Sequence, residues 1–451
     1  MHIKFVNHAS LIISSGKTKI FCDPWLDGSI FNNGWNHIIE TKFDYETFRE
    51  INYIWFSHEH PDHFSTGTLK SIDENIRSNI TVLYQSTKDK KVLNFCKGLG
   101  FKVQELPNKK NITLNDDFNL ICGKSGFYDS WLYLNDKYNS LLNINDCHID
   151  TIKDLKKINK DLGNRKIDIL LSQFSYAAWK GNKNDSLLRE AEAKNKIEIL
   201  ERQLENIKPK YFIPFASYIY FSHEENNYLN DKINKSYDLI DINKFTKTIL
   251  MYPGDKWDPN ENFSNTENIE KYKLAYSKIK DLEYSQSDVI EYEKLSESAL
   301  KCTNRIKKNN NQLLLNILKQ IPFIGIMRDV HFYVTDLEQY LVYNKNGLLL
   351  QVEQNEVSET IKKNAIKLSS NSLNFLFQFD WGLDTLLVNG RFNASPNGLL
   401  NLIKSFGVMT LNNIGKRLEF KLILDFELLY FSFKSIYSAI GRYRQRMVKR
   451  I

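Results

Sequence analysis

The chain has 451 residues, of which 42% are hydrophobic and 25% are charged, a balance typical of a soluble globular protein with two or three domains. No stretch approaches the roughly 18 consecutive apolar residues that cross a bilayer, which excludes a transmembrane protein. The net charge of +7 is mild and gives no clear indication of a nucleic-acid partner. One basic run, residues 442–450, is interpreted as a solvated terminal helix.

Strands and helices alternate in the first half of the chain. Strands are predicted at 2–6, 9–13, 18–22, 53–56, 81–84, 118–123, 140–144, 167–171, 211–214 and 248–252. Helices are predicted at 66–75, 88–99 and 186–207, the last ended by Pro209. This alternation, with hairpins at the start, predicts an α/β sandwich.

The composition changes after residue 255. Residues 256–324 are polar and rich in asparagine and lysine, which predicts a helical connector. Strand patterns follow at 329–342 and 347–352, and helical patterns at 358–369 and 397–405. We therefore predict a catalytic domain at 1–255 and a smaller α+β domain at 325–451.

The five cysteines are widely spaced and none forms a Cys-x-x-Cys pair. A sparse, odd set of this kind fits a reducing compartment. The first residues also lack the charged-then-apolar layout of an export signal. A cytoplasmic protein is therefore expected.

A cluster of histidines directly follows the predicted strand at 53–56. The segment Ser57-His58-Glu59-His60-Pro61-Asp62-His63 holds three of the nine histidines of the chain. Residues i and i+2 of an extended segment point the same way, so His58 and His60 can meet one ion. Pro61 suits the start of a turn, after which Asp62 and His63 face the same space. This donor set suits two adjacent divalent ions.

The pattern His-x-His-x-Asp-His after a buried strand resembles the signature of the metallo-β-lactamase superfamily. Upstream, the segments Asn7-His8-Ala9-Ser10 and Ile20-Phe21-Cys22-Asp23-Pro24-Trp25-Leu26 resemble the opening of one branch, with Asn7 in place of the usual glycine. The resemblance implies an αββα sandwich with its site where the loops of the two sheets meet. It also implies that Asp23 and His8 support the ligands from behind.

Further segments resemble the metallo-β-lactamase-like part of CMP-N-acetylneuraminate hydroxylases, over roughly residues 1–255. They are Asn143-Ile144-Asn145-Asp146-Cys147, Ser172-Gln173-Phe174-Ser175-Tyr176-Ala177, Pro214-Phe215-Ala216-Ser217-Tyr218 with His223, and Tyr252-Pro253-Gly254-Asp255. They keep the order of that family.

The resemblance assigns further metal ligands residue by residue. Asp146 takes the position of the carboxylate that bridges two metals, and His223 that of the last histidine ligand, with a surface histidine as the alternative. The third histidine of hydrolases is replaced here by Asp129-Ser130-Trp131, so Asp129 is the expected ligand and His148 the alternative. The expected ligands are His58, His60, Asp62, His63, Asp129, Asp146 and His223, with Asp62 and Asp146 also expected to be catalytic.

The carboxylate at position 129 bears on the reaction. A nitrogen-rich pocket favours zinc, which supplies a hydroxide at neutral pH, whereas a carboxylate makes the site harder and suits iron. Two divalent metal ions, iron or zinc, are therefore expected. The first hypothesis is a di-iron oxygenase resembling sugar-nucleotide hydroxylases. The alternative is a hydrolase of a phosphodiester, lactone or amide, and a metal-free binding protein is the third hypothesis.

The same resemblance bears on partners. Hydroxylases of that family carry a Rieske iron–sulfur domain with two Cys-x-His pairs, and this sequence has no such pair. An oxygenase would then need a ferredoxin or reductase. The expected substrate is small and polar, with a nucleotide sugar as the candidate, and Trp179 and Tyr218 are predicted to contact it. Residues 382–392 resemble a lipid-carrier module over a short stretch, but a structural or oligomerisation role is the default expectation for this domain.

Overall fold

The computed structural model describes residues 1–321 and 326–424, and the chain forms two compact units. Unit 1 comprises Met1–Ser287 and Thr385–Asn393, and unit 2 comprises Asp288–Asp384 and the chain from Ala394 onward. These units divide the chain at other residues than the expected boundaries near 255 and 325, so the expected domains and their roles stay predictions. The basic run at 442–450 lies outside the described residues.

Regular elements cover most of the described chain. In chain order its strands are β1 (His2–Asn7), β2 (Ser10–Ser15), β3 (Thr18–Cys22), β4 (Trp35–His37), β5 (Tyr53–Phe56), β6 (Thr81–Gln85), β7 (Lys102–Leu106), β8 (Asn111–Leu114), β9 (Phe118–Ser125), β10 (Asp129–Asn135), β11 (Ser140–Asn143), β12 (Ile169–Gln173), β13 (Tyr211–Phe215), β14 (Ile219–Phe221), β15 (Lys247–Thr248), β16 (Lys256–Trp257), β17 (Val330–Val334), β18 (Gln339–Tyr343), β19 (Leu349–Gln351) and β20 (Ile366–Leu368). Its α-helices are α1 (Thr66–Ser71), α2 (Glu74–Arg77), α3 (Lys91–Gly98), α4 (Ile152–Asp161), α5 (Ser186–Ile207), α6 (Thr266–Lys278), α7 (Tyr292–Asn309), α8 (Gln312–Gln320), α9 (Glu359–Asn364), α10 (Ser370–Gln378), α11 (Gly382–Asn389) and α12 (Pro396–Asn413). Short 3-10 helices lie at Tyr45–Glu50, Asn227–Lys232, Ser236–Leu239, Ile279–Asp281, Gln354–Glu356 and Phe420–Leu424.

Two seven-stranded sheets form the body of unit 1. The first has the strand order β16-β1-β2-β3-β5-β6-β7, and the second has the order β15-β13-β12-β11-β10-β9-β8. Each sheet combines an antiparallel part with a parallel part: β3, β5, β6 and β7 run parallel in the first, and β11, β12, β13 and β15 in the second. The short strands β4 and β14 pair with each other outside both sheets.

The side chains of β5 show how the layers form. Trp55 lies in the hydrophobic core that both sheets share, whereas its neighbours Ile54 and Phe56 pack with the inner faces of α1, α2 and α3. Successive residues of a strand point to opposite faces, so this strand is buried on both sides, as the parallel strands of layered α/β folds are. Helices α4 and α5 pack on the second sheet through Leu155, Ile158 and Leu200. The predicted αββα sandwich is confirmed.

Several predicted elements differ from the structure. The helix expected at 66–75 is two helices, because Asp73 caps the start of α2 with its side chain. The helix expected at 358–369 ends at Asn364, and β20 follows it. The strand expected at 248–252 is instead the two-residue strand Lys247–Thr248, which pairs with β13. The strand β10, which begins at Asp129, was not predicted.

Unit 2 is an α+β unit, as expected for this part of the chain. Its four-stranded sheet has the order β19-β18-β17-β20, and α7, α10 and α12 contact it or each other. The aromatic rings of Phe332, Tyr343, Phe377 and Phe406 pack together in its core. Among the described residues, no helix combines the length and hydropathy that a membrane span requires.

Candidate metal centre

The histidine loop leaves the carboxyl end of β5, a central strand of the first sheet. β5 pairs in parallel with β3 on one side and β6 on the other, so the loop begins inside the sandwich. The backbone N–H groups of His63 and Phe64 both donate to the carbonyl of His60, which closes a tight turn. His58 and His63 are completely buried and Asp62 is 3% exposed. The loop therefore brings its polar side chains together away from bulk water.

The buried carboxylate of Asp23 organises this loop. Its Oδ1 accepts from the Ser57 N–H at 2.7 Å, and its Oδ2 accepts from Ser57 Oγ at 2.8 Å and from Asn145 Nδ2 at 2.8 Å. His63 Nδ1 lies 3.0 Å from the same Oδ2. Since Nδ1 donates to this carboxylate, the lone pair of the neutral ring is on Nε2. Asp23 thus lies where the sequence predicted, behind the histidine loop.

The same network orients the ring of His58. Ser57 Oγ gives its proton to Asp23, so it accepts from His58 Nδ1 at 2.9 Å. His58 Nε2 then carries a lone pair and lies 2.9 Å from His60 Nδ1. Two imidazole nitrogens at this separation are compatible with ligation of one ion.

His8 is held in the opposite tautomer. The backbone N–H of Tyr218 donates to His8 Nδ1 at 3.2 Å, so the neutral ring carries its proton on Nε2. That nitrogen lies 3.4 Å from Asp62 Oδ2. His8 therefore presents a proton rather than a lone pair to Asp62, which fits the predicted supporting role better than metal ligation.

The ligand atoms of six residues come close enough to surround ions. Three overlapping groups have all their ligand atoms within 4.8 Å of one another. These groups are His58, His60 and Asp62; His58, His63 and Asp146; and His8, Asp62 and His63. The carboxylate of Asp146 lies between His58 and His63. Its Oδ1 is 3.5 Å from His63 Nε2, and its Oδ2 is 3.9 Å from His58 Nε2.

The electrostatics of the cluster fit bound cations. Burial, together with the neighbouring His63 and His60, lowers the pKa of His58 well below its ordinary value, so its ring is neutral. Burial lowers the pKa of His63, but the carboxylates of Asp62, Asp146 and Asp23 outweigh it and raise that pKa well above the ordinary value. The buried Asp62 Oδ1 has no hydrogen-bond partner among the described residues. Such an orphaned oxygen in an anionic pocket fits a divalent ion.

Asp129 lies beside this cluster without joining its ligand groups. It begins β10, and burial raises the pKa of its carboxyl to about 6, with the charges of His60 and Asp146 acting in opposite directions. His148, the alternative at this place, has a side chain that is 79% exposed and lies 3.6 Å from an oxygen of Asp150. The structure thus favours Asp129 over His148 as a neighbour of the site.

His223 is not among the residues whose ligand atoms come together. Its Nε2 lies 3.0 Å from Ser287 Oγ, and its Nδ1 accepts from the N–H of Glu225 at 3.2 Å. Burial and the adjacent Arg391 lower its pKa to about 4. Both ring nitrogens are engaged, so the geometry gives no support to its predicted role as a ligand.

The structure places the two predicted substrate contacts, Tyr218 and Trp179, in different surroundings. Tyr218 is 1% exposed, and its ring packs on Phe5 and Tyr272, so a substrate cannot reach it. Only its backbone N–H serves the site, through His8. The half-buried Trp179 stacks on Phe392 with 4.9 Å between ring centroids. Burial by residues distant in sequence thus accounts for the outcome at Tyr218, and the contact of Trp179 with substrate stays a prediction.

Ser57 and Asn145 make contacts behind the candidate ligands that the sequence interpretation missed. Both bind Asp23, and Asn145 does so across 122 residues of chain. Asn145 also has a left-handed backbone with φ of 42°, which asparagine tolerates better than most residues. In the sequence, the one indication of these contacts was that Ser57 directly precedes His58 and Asn145 directly precedes Asp146.

Comparison with known proteins agrees with this geometry. Residues 2–120 match the family model described as "Beta-lactamase superfamily domain". This match shows that the amino-terminal part of the chain is similar to that superfamily domain. The histidine loop and Asp23 both lie within it, so the predicted resemblance is confirmed for that part of the chain.

Curated relatives extend the similarity beyond the matched superfamily domain. The chain is 22% identical over 258 residues to the cytidine monophosphate-N-acetylneuraminic acid hydroxylase of Danio rerio, which covers 52% of this chain and 41% of that protein. It is 24% identical over 266 residues to the inactive human protein of that name, covering 55% and 50% respectively. The chain spans about half the length of the curated relatives it matches.

A solved structure also resembles part of the chain. CmlA, a diiron β-hydroxylase from Streptomyces venezuelae, is 14% identical with a TM-score of 0.41, covering 57% of this chain and 53% of CmlA. The similarity to the superfamily rests on the match of residues 2–120, and the two-sheet topology agrees with it.

Proposed function

We propose that this chain is a dinuclear-metal oxygenase or hydroxylase. The observation that carries the proposal is a buried cluster that combines three imidazoles with the carboxylates of Asp62 and Asp146 and places Asp129 beside them. His58 and His60 would bind one ion, Asp62 and His63 the other, and Asp146 both. Two iron ions bound there would supply redox chemistry.

Asp129 favours iron over zinc in this proposal. A third carboxylate makes the donor set harder and more anionic, and such sets suit iron or manganese better than zinc. Because its pKa is about 6 without a cation nearby, a divalent ion would readily convert this carboxyl into a carboxylate ligand. His8 and Asp23 would keep Asp62 and His63 oriented towards the ions.

Substrate and electron donor follow from the relatives. By analogy with the hydroxylases it resembles, the chain would act on a nucleotide sugar or another small polar molecule. The printed sequence has no Cys-x-His pair that would hold a Rieske cluster. We propose that a ferredoxin or reductase delivers the electrons.

A metal-dependent hydrolase is the second candidate. It is favoured by the three imidazoles of His58, His60 and His63, because nitrogen-rich sites bind zinc well. In that case the substrate would be a phosphodiester, lactone or amide.

Metal content separates the two candidates. We expect the purified full chain to bind two iron ions with near-ultraviolet charge-transfer absorption, measured by elemental analysis and spectroscopy. His58→Ala should lose bound metal, whereas the exposed control His2→Ala should not. Asp129→His should raise the ratio of zinc to iron because it replaces a hard ligand by imidazole. Two zinc ions and turnover of a generic phosphodiester would establish the hydrolase instead.

A further inference from the structure

A lysine occupies an inward-facing position of α5. The buried residues of this helix include Arg189, Ala193, Leu200 and Gln203, spaced four, seven and three residues apart, so they lie on one face. Lys196 continues the same row, three residues after Ala193 and four before Leu200, and is half-buried. A lysine in such a row needs a polar partner for its ammonium group, since burial of an unpaired charge is costly.

The partner of Lys196 is Gln173, at the end of β12. Lys196 Nζ donates to Gln173 Oε1 at 2.7 Å. Because the ammonium can only donate, it fixes the amide with Oε1 towards α5 and Nε2 away from it. Gln173 Nε2 then donates to Asp146 Oδ1. A continuous chain of hydrogen bonds therefore joins a positive charge on α5 to the carboxylate at the centre of the cluster.

The parallel pairing of β11 and β12 makes this contact possible. Asn143 at the end of β11 is in register with Leu171 of β12. β12 continues to Gln173, and the chain after β11 turns so that Asp146 meets it. The adjacent residue Ser172 makes a comparable bond to α5, from its Oγ to Gln203 Oε1 at 2.7 Å, but that pair does not reach the cluster.

We propose that Gln173 and Lys196 are positioning residues that prepare Asp146 to bind two metal ions, an inference that rests on the proposed dinuclear site. Asp146 Oδ1 accepts from Gln173 and lies near His63 Nε2. Its other oxygen, Oδ2, is then directed towards His58 Nε2.

Zinc affinity of the full chain tests this role, because it reports on the site without any turnover. We expect Lys196→Met and Gln173→Leu to weaken zinc binding by about 10- to 100-fold in competition with a chromophoric chelator. Lys196→Arg should bind zinc nearly as tightly as the wild type, since it retains the charge and the donors. If Lys196→Met does not fold, Lys196→Gln takes its place.

Two controls separate positioning from a purely structural role. Ser172→Ala removes the neighbouring bond between β12 and α5, and should lower the melting temperature without changing zinc affinity. Lys194→Met removes an exposed lysine of the same helix and should change neither. If Lys196→Met and Gln173→Leu bind zinc like the wild type while Asp146→Asn does not, the positioning role is wrong. If the wild type binds no metal, the proposed function fails as well.

Discussion

The Asp23 carboxylate accepts hydrogen bonds from four donors that belong to two distant loops. Ser57 contributes its N–H and hydroxyl, His63 its Nδ1, and Asn145 its side-chain amide. The residue is fully buried and has a left-handed backbone with φ of 44°. It therefore joins the histidine loop to the segment that carries Asp146, and its loss should disturb both ligand groups.

Asp23→Asn tests this connection with little change in size or backbone preference. The NH2 group of the new amide would face the hydrogen-bond donors that now bind Asp23, so the histidine loop would lose its fixed orientation. We therefore expect metal affinity to fall about 10- to 100-fold. Chelator competition on the full chain measures the change. Asp27→Asn, at an exposed aspartate, is the matched control and should bind metal like the wild type. Unchanged affinity in Asp23→Asn would contradict the role given to Asp23.

The sequence was informative about ligands where they are local. His58, His60, Asp62 and His63 were predicted from one short segment, and the structure brings them together. Contacts made across the fold were not predictable in the same way. Tyr218 packs against Phe5 and Tyr272, two residues that are far apart from each other along the chain.

At the scale of elements, the packing of β9 against β10 requires a glycine at one position of β9. Gly123 of β9 is directly opposite Trp131 of β10 in the antiparallel pairing. A Cβ at Gly123 would overlap the indole ring of Trp131, which is 3% exposed and packs in the shared core. The absence of a side chain in β9 therefore makes room for the tryptophan of β10.

Gly123→Ala should destabilise the full chain by about 1–3 kcal/mol, because an added methyl group overpacks the core. The midpoint of urea denaturation measures this loss. Gly98→Ala, at the end of α3, is the control: its Cβ meets nothing within 4 Å, so no loss is expected. Equal stability of Gly123→Ala and the wild type would show that the indole ring can move.

Elements with strong local signals were predicted well. The helix expected at 186–207 has those bounds, because good helix formers fill it and the left-handed Lys208 and Pro209 end it. The strand β10 was missed since its pairing with β9 and β11 decides its conformation. Ser65 and Asp73 also cap two short helices where one was expected.

At the scale of the whole molecule, a late segment of the chain completes unit 1. Residues 385–393 belong to this unit although the sequence on either side belongs to unit 2. Arg391, which is completely buried, donates to Glu225, to the carbonyl of Asn32 and to Ser287. The first unit therefore cannot be complete without residues from the second half of the chain.

Arg391→Met should lower the stability of the full chain by about 3–5 kcal/mol, because it leaves the groups that the guanidinium binds without their partner. Thermal or urea unfolding measures this. Adding Glu225→Gln to Arg391→Met should recover part of the loss, since the ion pair is then removed as a whole rather than one charge of it. Lys301→Met, which removes an exposed ion pair with Glu297, should change stability by less than about 1 kcal/mol. An equally small effect of Arg391→Met would contradict the structural role of the segment.

The sequence by itself determined the α/β sandwich, the histidine motif and the superfamily to which its first part is related. These depend on periodicity and on short local patterns, which a chain displays without being folded. Only the tertiary structure decided that Asn145 and Gln173 contact Asp23 and Asp146, that both ring nitrogens of His223 are engaged elsewhere, and that residues 385–393 return to unit 1. Such contacts depend on strand order and on helix packing, which bring together residues that are far apart along the chain.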